Sequence, residues 1–259
     1  MIIQRRRDGT HRIFTQHDHA MLSGECAKRY VHEGKDQALA YMFNMGVGLH
    51  DLAWLEIDDW SDASNIPWDD KTQRPHDFIT LPSSDKAVIY AQGIEEIVRF
   101  HPFLGLLLSQ HYAAFFDKSA EFYHREAERR RALQAPLQRW LTQQKHPDDV
   151  HTVLARQYDI LKFLDIISLY ACLAEPGADP DDCPTWITPQ WSCQGQDYRF
   201  SFSDENTLHI EPFHLSEPLT THIPYRSFVG EFQSAKHTSE RWQTAAVEQW
   251  TLSICPGQT

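Results

Sequence analysis

Apolar side chains in this chain recur at helical spacing as far as Leu173 and at strand spacing beyond Pro176. At the start, residues 2–6 and 12–15 flank Asp8-Gly9, a tight-turn signal that predicts a β-hairpin. Thr15 with Asp18 forms a variant capping box, and a helix is expected from there to about Tyr30, with His19, Leu22, Ser23, Cys26 and Tyr30 on one face. A second helix, from about Asp36 to Trp54, carries Leu39, Phe43, Gly46, His50 and Ala53 in one stripe and Asp51 at its edge. A third runs from about Ala87 to His101. Pro102 interrupts it, and Leu104, Leu107, Leu108, His111 and Phe115 then share a face. Residues 119–145 read as a solvated helix bent or split at Pro136. Residues 150–173 read as a central helix with Leu154, Tyr158, Leu161, Asp165 and Cys172 in register.

Residues 57–85 are dense in Asp, Pro, Ser and Trp and too long for an ordinary connection, so they are expected to cover a substrate mouth. Past Pro176, Tyr198, Phe200 and Phe202 alternate, Asp204-Glu205-Asn206 makes a turn, and Leu208 and Ile210 alternate again. Strand-like pieces follow at residues 227–232 and 247–254. The expected fold class is mainly α: a helical bundle with an N-terminal β-hairpin over residues 1–176. A C-terminal antiparallel β subdomain over residues 177–259 packs on the same body, giving α+β overall.

The chemistry lies where the apolar stripes are broken. His19, His50, Asp51, His111 and Asp165 each sit where helical periodicity calls for an apolar side chain. Burying an ionisable group costs several kcal/mol unless it is paired or metal-bound. A lone inward histidine is more often a hydrogen-bonded core residue than a ligand. Imidazoles and carboxylates from separate helices that turn toward one core instead suggest a centre for a divalent ion, with Mn, Fe, Zn or Mg as candidates.

Charge narrows the partners. With 36 acidic against 24 basic residues the net charge is −12, which excludes general binding to a nucleic-acid backbone. A small anionic substrate needs a local positive centre, which a bound cation supplies. Lys71, Arg74 and Lys86 are available to hold a phosphate from the long loop, and Lys71 and Arg74 are the residues selected for that role. Cys26, Cys172, Cys183, Cys193 and Cys255 form no CxxC pair and are odd in number, so reduced thiols are expected. No run approaches the ~18 apolar residues of a membrane span, and a soluble, cytoplasmic protein is expected, with no membrane partner.

The order His19, His50-Asp51, Asp165 resembles the H…HD…D signature of the HD-domain superfamily of metal-dependent phosphohydrolases, and residues 45–52, Met-Gly-Val-Gly-Leu-His-Asp-Leu, resemble its central helix. The resemblance implies an HD-domain-like bundle with His19, His50, Asp51 and Asp165 as metal ligands. It further implies catalytic roles for Asp51 and for His111, which looks like the additional histidine of several subgroups. At a finer level Thr15-Gln16-His17-Asp18-His19, Leu49-His50-Asp51 with Trp54, Ser109-Gln110-His111 and Phe163-Leu164-Asp165 resemble a bacterial family of unknown function. That family often reads His-Asp-Asp-Gly-Trp where this chain has His50-Asp51-Leu52-Ala53-Trp54; Glu56 or Asp58 is available to replace the missing carboxylate.

The resemblance implies hydrolysis of a small phosphate ester, nucleotide or anhydride. Two alternatives stand beside it: an HD-type di-iron oxygenase, and a catalytically silent module that binds a metal or ligand.

Overall fold

The computed structural model describes residues 1–31, 37–177 and 187–257. The expected helix start at Asp36, Cys183 and most of the junction expected between helical and β parts lie outside them. Strands β1 (Ile2–Arg5) and β2 (Thr10–Phe14) form the expected hairpin, with Gly9 at φ +80° closing its turn. Helix α1 (Gln16–Ala27) starts where Thr15 Oγ1 accepts from the Asp18 amide at 2.9 Å. Asp58 accepts further orphan amide protons of this helix start, from Gln16 and His17. That carboxylate also meets the Met1 ammonium at 2.6 Å.

Helix α2 (Gln37–Gly48) stops earlier than expected, because Gly48 is a weak helix former. The chain tightens there into i→i+3 bonds, Leu52 N–H to Leu49 O at 3.0 Å among them, and then into a 3₁₀ turn at Leu52–Trp54. Much of the segment after it is folded: a short ribbon of β3 (Trp68–Asp69) and β4 (Arg74–Pro75) leads to α3 (Ser83–Val98). Pro102 begins α4 (Pro102–Ala113), capped by His101, whose Nδ1 accepts from the Phe103 amide. Helix α5 (Glu121–Gln143) runs unbroken through Pro136 rather than splitting there. Helix α6 (Val150–Leu173) starts at an Asp149 cap and has the expected bounds.

The expectation of a mainly α bundle is overturned. Only 47% of the described residues are helical, and the helices pack on a large curled sheet, making an α+β fold. After β5 (Gln190–Cys193), β6 (Gln196–Asp204), β7 (Thr207–Glu211) and β8 (Leu219–Val229) come α7 (Ala235–Thr244) and β9 (Glu248–Pro256). Seven strands join in the order β1-β2-β8-β9-β7-β6-β5. The sheet is mixed, because β7 and β9 run parallel. The N-terminal hairpin is part of it through β2–β8, with Arg12 opposite Ser227. Pro224 hid β8 from the periodicity, since a proline normally argues against an interior strand. Only Leu219, Ile223 and Phe228 of that strand are buried.

Helix α6 lies between the helices and the sheet. Phe163 packs on Tyr198 with ring centroids 4.2 Å apart, and Phe200 lies beyond. Burying each such ring stabilises the fold by roughly 1.5–3 kcal/mol. Among the described residues no helix is long and apolar enough to cross a membrane. Helices α1 and α2 meet through glycine: a Cβ on Gly24 would lie 2.9 Å from the Gly48 Cα, whereas one on Gly48 would lie 3.8 Å from the Gly24 Cα.

That asymmetry sets a test. Gly24→Ala should lose about 1–3 kcal/mol by forcing two backbones apart. Gly48→Ala should be neutral, or gain up to about 1 kcal/mol of helix propensity. Urea denaturation of both variants checks this, and equal losses would contradict the packing described.

Candidate metal centre

Four elements deliver the five inward ionisable residues. His19 lies one turn into α1, His111 in the last turn of α4 and Asp165 in the middle of α6. His50 and Asp51 lie in the turn after α2, not on the helix edge expected for them, and Asp51 has φ −112° and ψ 24°. Leaving the helix frees adjacent residues from the ~100° separation it imposes. All five are buried.

Their polar atoms converge. His19 Nε2 lies 2.9 Å from Asp51 Oδ2 and 3.9 Å from Asp165 Oδ1, and His50 Nε2 lies 3.1 Å from Asp165 Oδ1 and 3.7 Å from Asp51 Oδ2. His111 Nε2 lies 3.8 Å from the other Asp165 oxygen. Two overlapping groups, His19 with His50 and Asp51, and His50 with His111 and Asp165, each bring their ligand atoms within 4.8 Å of one another and could hold a metal ion.

A second layer orients the rings. His50 Nδ1–H donates to Val47 O at 2.7 Å, which turns Nε2 toward the centre, as carbonyl partners do for metal-ligating histidines. On the His19 side, buried Ser168 hydrogen-bonds to Asp165 O at 2.8 Å, and its oxygen lies 3.3 Å from His19 Nδ1 and 2.7 Å from Ser23 Oγ. A Ser168 hydroxyl that donates to Asp165 O and accepts from His19 Nδ1–H leaves the His19 Nε2 lone pair for the centre.

Burial disfavours every charge here, and neighbours decide which charges survive. Burial works against a charged His50, but Asp165 and Asp51 hold it up to about 9. Burial would raise Asp165, but His50, by charge and hydrogen bond, holds it down to about 2. Burial pushes Asp51 up to about 7, with His50 opposing and Asp165 adding repulsion. Burial likewise lowers His19 and His111 to about 3, and His50 adds to it. An imidazolium–carboxylate pair thus sits between two neutral imidazoles beside a carboxyl that titrates near neutrality. A divalent ion would replace the two protons that hold this cluster together, and the donor set fits one.

A cavity of ≈450 Å³ opens above the cluster, floored by His19, Asp51, His111 and Asp165. Phe78 and Ile79 from the end of the long loop line it, together with Lys86 and Lys162. Lys71 and Arg74 do not line it: Lys71 is exposed, and Arg74 pairs with Glu231 at 2.8 Å. Earlier in the loop, Trp60 and Ile66 pack in a separate cluster with Trp242. Asp58 is engaged at the start of α1 and so does not replace a site carboxylate. Residue patterns alone missed Lys162, although it lies one turn before Asp165 on the face that Tyr158 shares. Ser23, Ser168 and Gln16 likewise stand three or four residues from His19 or Asp165, whereas Trp191 carried no such signal.

The chain belongs to a family whose model is described as "Protein of unknown function (DUF3891)" and matches residues 1–229. That span contains all five cluster residues. Comparison with curated proteins and with solved structures gave no match.

A metal ion must displace the His50 proton, held up to about 9, and at lower pH the Asp51 proton, held up to about 7. Zinc affinity should therefore rise about tenfold per pH unit between those values and more steeply below them, levelling above the upper one. Calorimetric titration in buffers of different ionisation enthalpy measures the released protons. Affinity independent of pH over this window would refute the arrangement.

Proposed function

We propose that this member of the family of unknown function is a metal-dependent hydrolase of HD type, acting on a small phosphate ester, nucleotide or anhydride. The observation that carries the reading is the convergence of three buried imidazoles and two buried carboxylates on the floor of a cavity that two lysines also line. Three nitrogen donors beside two carboxylates favour Mn, Fe or Zn over Mg, which prefers oxygen and keeps its waters. When bound, such an ion polarises a phosphoryl oxygen and acidifies water at neutral pH.

The side chains divide the remaining work. His19, His50, Asp51 and Asp165 are the ligand set, and Ser168 with the Val47 carbonyl keeps two of the rings aimed. Asp51, which gives up its proton when an ion binds, is suited to orient a water through the carboxylate oxygen not given to the ion. His111, lowered to about 3, is neutral there and serves as an acceptor or further ligand rather than a proton donor. Aromatic walls keep bulk water away from the floor.

The second group, His50 with His111 and Asp165, favours one other reading, an HD-type di-iron oxygenase. Metal content of protein purified without added metal, followed by assays for phosphate release and oxygen consumption, separates the two. Iron together with substrate-dependent oxygen uptake and no phosphate release would replace the hydrolase reading.

Asp51→Ala should lose bound metal and at least a hundredfold in hydrolysis while keeping its helical circular dichroism. Its metal-free form should melt no lower than the parent. Because the folded carboxyl titrates at about 7 against an ordinary 3.8, stability falls as pH rises between those values, and removing the group relieves that cost. Full metal occupancy in Asp51→Ala, measured by elemental analysis, would strike Asp51 from the ligand set.

A further inference from the structure

The cavity above the cluster is divided by chemistry. Its floor is polar, whereas Phe78, Phe115, Tyr158 and Trp191 form its walls. These come from four separate parts of the chain: the long loop, the turn after α4, α6 and the sheet strand β5. Two cations share the cavity. Lys162 precedes Asp165 by three residues on α6, a rise of about 4.5 Å, so an oxyanion above the Asp165 carboxylate is within its reach. Lys86 stands one turn before Tyr90 on α3. Its ammonium donates to Ile79 O at 3.2 Å and, among the described residues, makes no ion pair. Lys162 meets Asp159 at 3.1 Å and lies 5.1 Å over the Tyr158 ring.

The ligand must therefore offer oxyanions to two ammonium groups and an apolar body to aromatic walls. Two lysines are few for a polyphosphate, and the walls are poor company for a sugar.

We infer that the substrate is a phosphate monoester whose organic part is a flat apolar ring. The ring is seated among Phe115, Tyr158 and Trp191, and its phosphoryl oxygens lie between Lys162, Lys86 and the His/Asp floor. This rests on the hydrolase reading and names its substrate class. In the reaction the oxygen of water bonds to phosphorus and the bond from phosphorus to the ester oxygen breaks. The released alcohol leaves with one of the water's protons.

Phenylphosphonate and methylphosphonate share a head group, are not hydrolysed, and differ in the ring. Titrated calorimetrically into the zinc-loaded full chain, phenylphosphonate should bind at least tenfold more tightly. The ratio should fall below threefold in Phe115→Ala, a residue 53% exposed, and in Trp191→Ala. Lys162→Met should weaken both ligands alike. Equal affinity of the two ligands, or a ratio unchanged in both aromatic variants, overturns the inference even if phosphate esters are hydrolysed. Tight phenylphosphonate binding without turnover of phenyl phosphate overturns the hydrolase reading instead, so the two failures are told apart.

Discussion

Two carboxylates and three imidazoles share one buried space in this protein, and a charge left uncompensated there would cost several kcal/mol, a large fraction of a typical domain's stability. The His50–Asp165 pair at 3.1 Å meets that constraint without a metal ion, because it carries one charge of each sign. The other three residues are tolerated by being mostly neutral. Such an arrangement holds together while leaving every nitrogen lone pair or oxygen available once protons depart. The centre is preorganised by its own electrostatics, and the surrounding fold keeps it dry and aimed.

Much of the architecture serves that aim. Glycine contact between α1 and α2 lets His19 approach the turn that carries His50 and Asp51. The early end of α2 gives that turn its freedom. Gly93 makes a similar approach, since a Cβ there would lie 2.6 Å from the Ala53 Cβ, two residues after Asp51. On the far side α6 is clamped between helices and sheet, so Asp165 and Lys162 are fixed relative to Trp191 on β5. Sheet and helices therefore build one cavity together, and the strands are more than an appendage to a helical core.

The cluster was legible because ionisable residues in apolar stripes are conspicuous, and His19, His50, Asp51, His111 and Asp165 all reach it. Helix α6 was legible for a related reason: its apolar register and its long apolar second half leave little choice. The sheet was legible only in its parts: several strands were expected, but β8 contains Pro224 and buries only three side chains, and the partners that join the hairpin to the C-terminal strands are distant in sequence. The same limit applied to the cavity wall. Lys71 and Arg74 lie in a loop that looked like a lid, but pairing with Glu231 and solvent exposure take them elsewhere. Lys162 and Trp191 acquire meaning only once α6 and β5 are brought together.

The position of β9 has a consequence for how the chain is made. It lies in the sheet between β8 and β7, and it follows both in the sequence. Until it is synthesised, β1-β2-β8 and β7-β6-β5 are two separate ribbons, each ending in an open strand edge. On the ribosome those edges stay exposed while the helices, with their local contacts, are free to assemble. A chaperone that shields strand edges would thus be needed most in the interval between the emergence of β8 and the arrival of β9, after every residue of the His/Asp cluster has already left the exit tunnel.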